Sequence, residues 1–257
     1  MKVYDEIDKL YSYSEIYNNE FGNYEDDYSF WEFWFKKLRP KSVLEIGIGN
    51  GRLINLLSNL VDTYDAVEIS KNIIEDFYKK NPGYNKGIIY NQDMKKMNID
   101  NKYDLIILPF NTFCYLYTTK DFKSFFKSLK KLINKNSIVV IDIINPKIEE
   151  LSDIENYRLC NKFKIRNENY ELYEKRTYDN KLQIMNYEKR YVNEKNKDEL
   201  LLNLPVRIFF PQELKNLIEF YNFKIQNIYG DYNNELFTNL SRKQILFFKE
   251  CEENEVI

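Results

Sequence analysis

Three glycines and a glutamate near the start of the chain could bind a ligand. Gly47, Gly49 and Gly51 end one short apolar run, and Glu68 lies near the end of the next apolar run. Glycines at the end of a strand permit a tight turn and let a ligand approach the backbone closely. An acid at the tip of the neighbouring parallel strand can accept hydrogen bonds from ribose hydroxyls. These residues therefore predict a site for a nucleoside-containing cofactor.

The spacing of the glycines narrows the choice of cofactor. A dinucleotide-binding turn reads G-x-G-x-x-G, and its third glycine allows close helix packing beside a pyrophosphate. Here the string is G-x-G-x-G, Arg52 stands where that third glycine belongs, and Glu45 precedes the first glycine by two residues. This E-x-G-x-G-x-G string closely resembles motif I of class I S-adenosylmethionine-dependent methyltransferases. A glycine-rich turn in another α/β fold is the alternative.

The resemblance implies roles for residues at four strand ends. Glu45 would organise the turn and the methionyl end of the cofactor. Asp93 would accept from the adenine amine, and Met94 would cover a ring face; alternatively, Asp93 only caps a following helix. The residues predicted to bind S-adenosylmethionine are Tyr11, Glu45, Gly47, Gly49, Gly51, Glu68, Ile69, Asp93, Met94 and Pro109.

Methyl transfer from a sulfonium is an in-line displacement, for which positioning supplies much of the acceleration. The chain has no histidine, so a base must come from another residue type or from water. Tyr17 and Tyr115 are the candidate bases, and Asn111 lies in the crevice after strand four. The resemblance also implies that Tyr11 and Tyr17 form a lid. Arg207 is the candidate for orienting an anionic acceptor, and pairing with a structural acid is its alternative role.

The chain lacks motifs of nucleic-acid and metal-dependent methyltransferases, which narrows the choice of methyl acceptor. Residues 109–112 read Pro-Phe-Asn-Thr, whereas amino-methylation of nucleic-acid bases in this family usually uses Asn/Asp-Pro-Pro-Tyr/Phe. Cys114 follows phenylalanine and not proline, and no acidic metal cluster can be assembled. These observations favour a metal-free O- or N-methyltransferase acting on an amine, an amino sugar or a sugar nucleotide. The alternatives are a protein or RNA methyltransferase, or an NAD-dependent oxidoreductase.

Composition adds expectations about partners and location. The net charge is -2 and the sequence pI is about 5.6, so no bulk attraction to nucleic acid is expected. The N-terminal residues lack an apolar signal region, and no apolar stretch approaches membrane-span length. We therefore expect a cytoplasmic protein with a small-molecule acceptor and no membrane or nucleic-acid partner, acting as a monomer or homodimer.

Alternating strands and helices must position these residues. The patterns predict a Rossmann-like, doubly wound α/β sheet of seven strands, with an antiparallel β insert between strand five and the last helix. Predicted strands cover 42–46, 64–68, 87–91, 104–109, 137–143, 223–229 and 244–248. Predicted helices cover 5–19, 27–38, 50–60, a stretch after Ser70, 119–133 and a last helix ending near 221.

The whole chain, 1–257, is predicted to be one methyltransferase domain. Its parts are an N-terminal helical lid region (1–40), a cofactor-binding core (41–150), an antiparallel insert (155–205) and the C-terminal part of the core sheet (206–257). Three alternating runs within the insert, 161–165, 170–178 and 182–191, predict its strands, with a hairpin turn at Asp179-Asn180.

Overall fold

The computed structural model describes residues 14–22, 24–165 and 167–251. They form two compact units. Unit one joins the described residues up to Tyr24 with Pro146–Ile208, and unit two joins Glu25–Asn145 with the described residues from Phe209 onward. The domain boundaries predicted from the sequence remain a prediction.

Unit two is built on a seven-stranded sheet with the order β3-β2-β1-β4-β5-β11-β10. Strands β1 to β5 are parallel neighbours, and β11 runs antiparallel to both β5 and β10. The bounds are β1 Ser42–Ile46, β2 Thr63–Glu68, β3 Ile89–Asn91, β4 Tyr103–Leu108, β5 Ile133–Ile144, β10 Phe223–Tyr229 and β11 Lys243–Glu250. The predicted seven-stranded α/β fold is confirmed.

The sheet order brings the predicted site residues to one edge. Strands β1 and β4 are almost wholly buried, which explains their continuous apolar runs. Because β1 to β5 are parallel, their carboxyl ends meet at the same edge of the sheet. The glycine turn follows β1, Glu68 ends β2, Asp93 follows β3 and Pro109 follows β4.

Four of the six described α-helices follow strands, and two of these four begin at side-chain caps. The described helices are α1 Ser14–Phe21, α2 Tyr28–Leu38, α3 Arg52–Leu57, α4 Lys71–Lys80, α5 Thr119–Leu129 and α6 Pro211–Phe220. Ser70 caps α4 through its side chain, and Thr118 and Asp121 form a capping box at the start of α5. Of the predicted N-terminal helix, residues 5–13 lie outside the described part.

Unit one holds a separate four-stranded antiparallel sheet in the order β6-β7-β8-β9. Its strands are β6 Ile154–Ile165, β7 Glu168–Asp179, β8 Ile184–Asn193 and β9 Glu199–Arg207. The insert between β5 and α6 is therefore confirmed, but the prediction of three strands was wrong. The fourth strand, β9, contains Pro205 and an unbroken apolar stretch, Leu200–Leu202, which hid its alternation.

Several predicted helix and strand ends were also wrong. Strand five begins at Ile133 and not at residue 137. The helix expected over 119–133 stops at Leu129, because β5 begins at Ile133. The helix expected over 50–60 is α3 followed by a 3-10 turn, Ser58–Leu60. Strand three begins at Ile89 and not at residue 87, although the Ala66 N–H still donates to the Ile88 carbonyl at 2.9 Å.

Candidate active site

The turn after β1 requires glycine at its three glycine positions. Gly47, Gly49 and Gly51 have φ values of 80°, 54° and 79°. A Cβ on Gly51 would lie 2.3 Å from the Phe77 ring, and one on Gly47 would lie 2.6 Å from Thr112 Oγ1. Positive φ is costly for residues that carry a Cβ. The turn is thus close-packed against Phe77 and Thr112, and only glycine fits at Gly47 and Gly51.

A buried ion pair holds the helix that follows this turn. Arg52, the first residue of α3, donates from Nη1 and Nη2 to the two carboxylate oxygens of Asp27 at 2.5 and 2.7 Å. Trp31 Nε1 donates to the same carboxylate at 3.0 Å, and Asp27 is fully buried. The Arg52 guanidinium carbon lies 5.5 Å from the centre of the Phe110 ring. In the sequence, Arg52 was noted only because it replaces the third glycine of the dinucleotide-binding pattern. Its ion pair with Asp27 was not predicted.

Glu45 is buried beside the glycine turn. Only 1% of the residue is exposed, and its Oε2 accepts a hydrogen bond from the Tyr64 hydroxyl at 2.9 Å. Burial raises the pKa of this carboxyl to about 8, against the opposing effects of the Tyr64 hydrogen bond and the Arg52 charge. Tyr64 could not be identified from the sequence, because it resembles an ordinary core aromatic.

Glu68 and Ile69 lie at the end of β2. Glu68 is 4% exposed, and its Oε1 accepts the Ser70 N–H at 2.9 Å. The Asn91 side chain donates to the carbonyl oxygens of Glu68 and Ile69 at 3.0 and 2.8 Å. These bonds fix the tip of β2 against β3. Ile69 itself is 41% exposed, so its side chain forms part of the rim.

Asp93 and Met94 follow β3. The Asp93 Oδ1 accepts the Lys95 N–H at 2.9 Å, and its Oδ2 lies 3.0 Å from the Lys95 ammonium. Asp93 therefore caps a short 3-10 helix, Met94–Lys96, which was the alternative role foreseen for it. Capping occupies one carboxylate oxygen but does not decide the adenine role, which remains a prediction for Asp93 and Met94.

The turn after β4 is backbone-strained. Phe110 and Asn111 have φ values of 50° and 67°, in the left-handed region that non-glycine residues rarely adopt. The Phe110 N–H donates to Asp142 Oδ2 at 3.1 Å, and the Asn111 N–H donates to the Asp142 carbonyl at 2.9 Å. Asn111 Oδ1 in turn accepts the Ile144 N–H at 2.7 Å. Strain of this kind persists only where surrounding contacts enforce it, and it clusters at functional sites.

Asp142 makes most of the contacts that hold this turn. It is fully buried on β5, and its Oδ2 also accepts the Tyr232 hydroxyl at 2.8 Å. The Lys243 ammonium lies 3.4 Å from Oδ1 and 5.8 Å from the centre of the Phe110 ring. This cluster was not predicted from the sequence. A single acid inside the apolar run Ile141-Asp142-Ile143 was the available signal, because a charged residue is rarely buried without a partner.

Comparison with known proteins identifies the family. A family model described as a methyltransferase domain matches residues 23–192, more than half of the chain. The chain belongs to this family. No curated protein gave a significant match. The predicted class, a class I S-adenosylmethionine-dependent methyltransferase, is confirmed, and S-adenosylmethionine is its methyl donor.

Solved structures share the fold of this methyltransferase. An S-adenosylmethionine-dependent methyltransferase from Clostridium acetobutylicum has 15% identity and a TM-score of 0.75, over 90% of this chain and 93% of its own. The CcbJ methyltransferase from Streptomyces caelestis has 17% identity and a TM-score of 0.74, over 88% and 90%. The sugar N-methyltransferase KedS8 from Streptoalloteichus has 10% identity and a TM-score of 0.70, over 90% of each chain.

The residues present fit a nucleoside sulfonium cofactor. In unit two of the methyltransferase, a glycine cradle without side chains, an acid at the β2 tip and a polar turn after β3 adjoin along one sheet edge. Gly47, Gly49, Gly51, Glu45 and Glu68 would hold the cofactor there. Pro109 is buried at the end of β4, and its carbonyl accepts the Thr112 hydroxyl at 2.8 Å. The binding roles of these residues remain predictions.

The predicted acceptor residues fall in both units. Asn111 and Tyr115 lie in unit two, and Tyr115 ends a 3-10 helix, Thr112–Tyr115. Tyr17, in unit one, lies on α1 with its ring 5.1 Å from that of Phe21. Arg207 ends β9, and its Nη1 donates to the carbonyls of Gln183 and Ile208 at 3.3 and 2.8 Å. Tyr11 lies outside the described residues, and the roles of all these side chains are untested.

Two larger features of the methyltransferase concern membranes and metal ions. No helix in the described part of the chain is long and apolar enough to cross a membrane. Within residues 14–22, 24–165 and 167–251, no group of three or more His, Cys, Asp or Glu side chains could hold a metal ion.

Proposed function

We propose that the methyltransferase acts on a nitrogen or oxygen atom of a small molecule: an amine, an amino sugar or a sugar nucleotide. The observation that carries this proposal is the close contact between the two turns of the site. Thr112, which follows the strained pair, lies so near Gly47 that a Cβ there would be 2.6 Å from its Oγ1. An acceptor bound at the β4 turn would therefore lie beside the methionyl end of the cofactor.

Asn111 is proposed to orient the acceptor. Its Oδ1 is held by the Ile144 N–H at 2.7 Å, which fixes the amide plane and leaves Nδ2 as a donor. An amide cannot take up a proton at neutral pH, so this role is positioning. Holding the attacking atom on the line of the carbon–sulfur bond is the main requirement of the reaction.

The reaction is proposed to proceed without a metal ion. The acceptor lone pair attacks the methyl carbon as the carbon–sulfur bond breaks and its electrons pass to sulfur. The acceptor then loses a proton, for which the proposed base is Tyr115 or, as the alternative, Tyr17. Arg207 is proposed to orient an anionic group of the acceptor, since a guanidinium binds carboxylate and phosphate well.

A sugar acceptor has separate support. KedS8, which shares the fold over 90% of both chains, is by its name a sugar N-methyltransferase.

We also propose that the protein acts in the cytoplasm as a monomer or homodimer, without a nucleic-acid partner. Light scattering of the purified protein would give the oligomeric state.

Two measurements test the proposed function. In the first, calorimetry with S-adenosylhomocysteine should give one-to-one binding, and this ligand but not NAD should raise the unfolding temperature, because only a ligand of the native state stabilises it. Stabilisation by NAD alone would favour an oxidoreductase.

In the second measurement, labelled S-adenosylmethionine is offered with amines, amino sugars, nucleotide sugars, a protein mixture and RNA. Label found only in protein or RNA would overturn the small-molecule proposal.

A further inference from the structure

The ion pair between Asp142 and Lys243 in unit two has unused hydrogen-bonding groups. Asp142 is fully buried, and its Oδ2 already accepts the Phe110 N–H and the Tyr232 hydroxyl. Its Oδ1 is equally buried and accepts no hydrogen bond from the described residues. The Lys243 ammonium lies 3.4 Å from Oδ1 without hydrogen-bond geometry, and its three N–H groups donate to no other described residue. The pair thus presents one acceptor oxygen and one donor nitrogen.

Polar groups at this depth require hydrogen-bond partners. The Lys243 side chain is 17% exposed, and its ammonium lies 4.9 and 5.8 Å from the centres of the Tyr232 and Phe110 rings. An aromatic face attracts a cation electrostatically, but it does not replace an acceptor oxygen. Buried polar atoms are nearly always bonded to protein, water or ligand, because leaving them unbonded is costly. The pair is therefore suited to hydrogen bonds that the described residues do not supply.

The types of the two atoms and the distance between them select one chemical group. Because Oδ1 of Asp142 and Nζ of Lys243 are 3.4 Å apart, a single oxygen atom can lie within about 3 Å of both. That oxygen must donate to the carboxylate and accept from the ammonium, and a hydroxyl does both. A phosphate or carboxylate only accepts and would face Asp142, whereas an ammonium group only donates and would face Lys243.

The pair lies at the edge of the sheet where the acceptor is proposed to bind. Lys243 begins β11 opposite Ile144, the last residue of β5. The Ile144 N–H donates to Asn111 Oδ1, and the Asn111 N–H donates to the Asp142 carbonyl. The two charged residues thus adjoin the strained turn that carries the amide proposed to orient the acceptor. Backbone strain of this kind clusters at functional sites.

We propose that Asp142 and Lys243 together bind a hydroxyl group of the methyl acceptor. The hydroxyl donates to Oδ1 of Asp142 and accepts from Nζ of Lys243. This inference rests on the proposed function and narrows it, because amino sugars and sugar nucleotides carry ring hydroxyls and a plain amine has none. An acceptor held both by Asn111 and by this pair keeps its attacking atom in line with the carbon–sulfur bond.

The experiment compares rates of methyl transfer from S-adenosylmethionine to three kinds of acceptor. These are glucosamine, its 3-deoxy, 4-deoxy and 6-deoxy analogues, and cyclohexylamine, which has no hydroxyl. One deoxy analogue should have a kcat/KM about 10- to 100-fold below that of glucosamine, because its binding leaves the carboxylate oxygen and the ammonium without hydrogen bonds. Cyclohexylamine should be at least as poor. If another amino sugar or nucleotide sugar of the panel is methylated in place of glucosamine, its own monodeoxy analogues are used.

A variant assigns the preference to the pair. Lys243→Met keeps an unbranched side chain and removes the donor, so it should abolish most of the preference for the sugar over its sensitive deoxy analogue. A lysine that only held the turn would lower both rates equally, so the ratio of the two kcat/KM values is the readout. Lys249→Met, on the same strand, is the matched control and should keep the full preference. Unfolding curves and calorimetry with S-adenosylhomocysteine confirm that each variant is folded and binds the cofactor product.

The outcomes are distinct. Equal kcat/KM for the sugar and all its deoxy analogues overturns the inference in the unmodified protein, whether or not the variant folds; a pair that binds only water would give this result. An unchanged preference in Lys243→Met, or methylation only of amines without a hydroxyl, also overturns it. Absence of methyl transfer to every amine, amino sugar and nucleotide sugar contradicts the proposed function itself.

Discussion

At the scale of single residues, Glu68 has two tasks that one substitution separates. Its Oε1 holds the Ser70 N–H at the start of α4, and its charge is predicted to meet the ribose hydroxyls. Glu68→Gln keeps an acceptor and removes the charge, so S-adenosylhomocysteine binding should weaken by about 1 to 3 kcal/mol through loss of charge-assisted hydrogen bonds. Calorimetry measures this, with Glu75→Gln on the exposed part of α4 as the control. Equal affinities in both variants would mean that the β2 assignment is wrong.

Glu45 makes the stability of the free protein depend on pH. Its folded pKa is raised to about 8 from an ordinary value of 4.5, so between these values the folded state binds the proton more tightly than the unfolded state. The Glu45 contribution to the free energy of unfolding is thus full below about pH 4.5 and is lost as the pH rises toward 8. Relative to the unmodified protein, Glu45→Gln should become steadily more stable across this range. Urea unfolding at several pH values checks this, and a constant difference would contradict it.

At the scale of elements, the glycine turn should tolerate no side chain at Gly51. Gly51 has a φ of 79°, and a Cβ there would lie 2.3 Å from the Phe77 ring. Gly51→Ala should lose at least about 1 to 2 kcal/mol of stability from backbone strain alone, and more from the clash. Gly83→Ala is the matched control, because a Cβ at Gly83 meets nothing within 4 Å. Thermal and urea unfolding compare them, and equal stabilities would show that the turn relaxes.

The link between β4 and β5 should depend on the Asp142 carboxylate. Asp142→Ala removes the acceptor for the Phe110 N–H and the Tyr232 hydroxyl, and leaves the largely buried Lys243 without its anion. Breaking a buried ion pair in this way costs about 3 to 5 kcal/mol. Asp142→Asn retains an acceptor oxygen and should cost less, and adding Lys243→Met to Asp142→Ala should recover part of the loss. Urea unfolding of the unmodified protein, the single variants Asp142→Ala and Lys243→Met and their double variant gives the double-mutant cycle. An Asp142→Ala variant as stable as the unmodified protein would contradict the prediction.

Local patterns predicted the parallel elements of the fold, because each of their strands is a short apolar run bounded by turn residues. The glycine turn was predictable for the same reason, because consecutive residues determine its geometry. The Asp27–Arg52 pair and the Asp142 cluster were not, because their partners are separated by 25 and up to 101 residues and meet only after the sheet forms. Strand β9 was missed because Pro205 and the unbroken apolar stretch Leu200–Leu202 hide its alternation.

At the scale of the whole molecule, unit one depends on contacts between distant segments. Lys189 on β8 is 5% exposed and pairs with Glu20 on α1, and Tyr191 donates to the same carboxylate at 2.7 Å. Lys189→Met should release α1, because Glu20 would lose its cation in a partly buried position. Hydrogen exchange of residues 15–21 should then accelerate. Lys175→Met, on the opposite face of the same sheet, is the control and should leave α1 protected from exchange. Equal exchange in both variants would show that the Lys189–Glu20 ion pair does not hold α1.

The Glu20 contact also has a consequence for synthesis on the ribosome. Glu20 and Lys189 are 169 residues apart, and unit one is interrupted by the whole of Glu25–Asn145. At about 5 to 20 residues per second, roughly 10 to 30 s pass between translation of the acid and translation of its cation. Until β6 has been synthesised α1 has no sheet to pack on, so a nascent chain stalled before β6 should expose this segment to protease. A chain stalled beyond β9 should protect it.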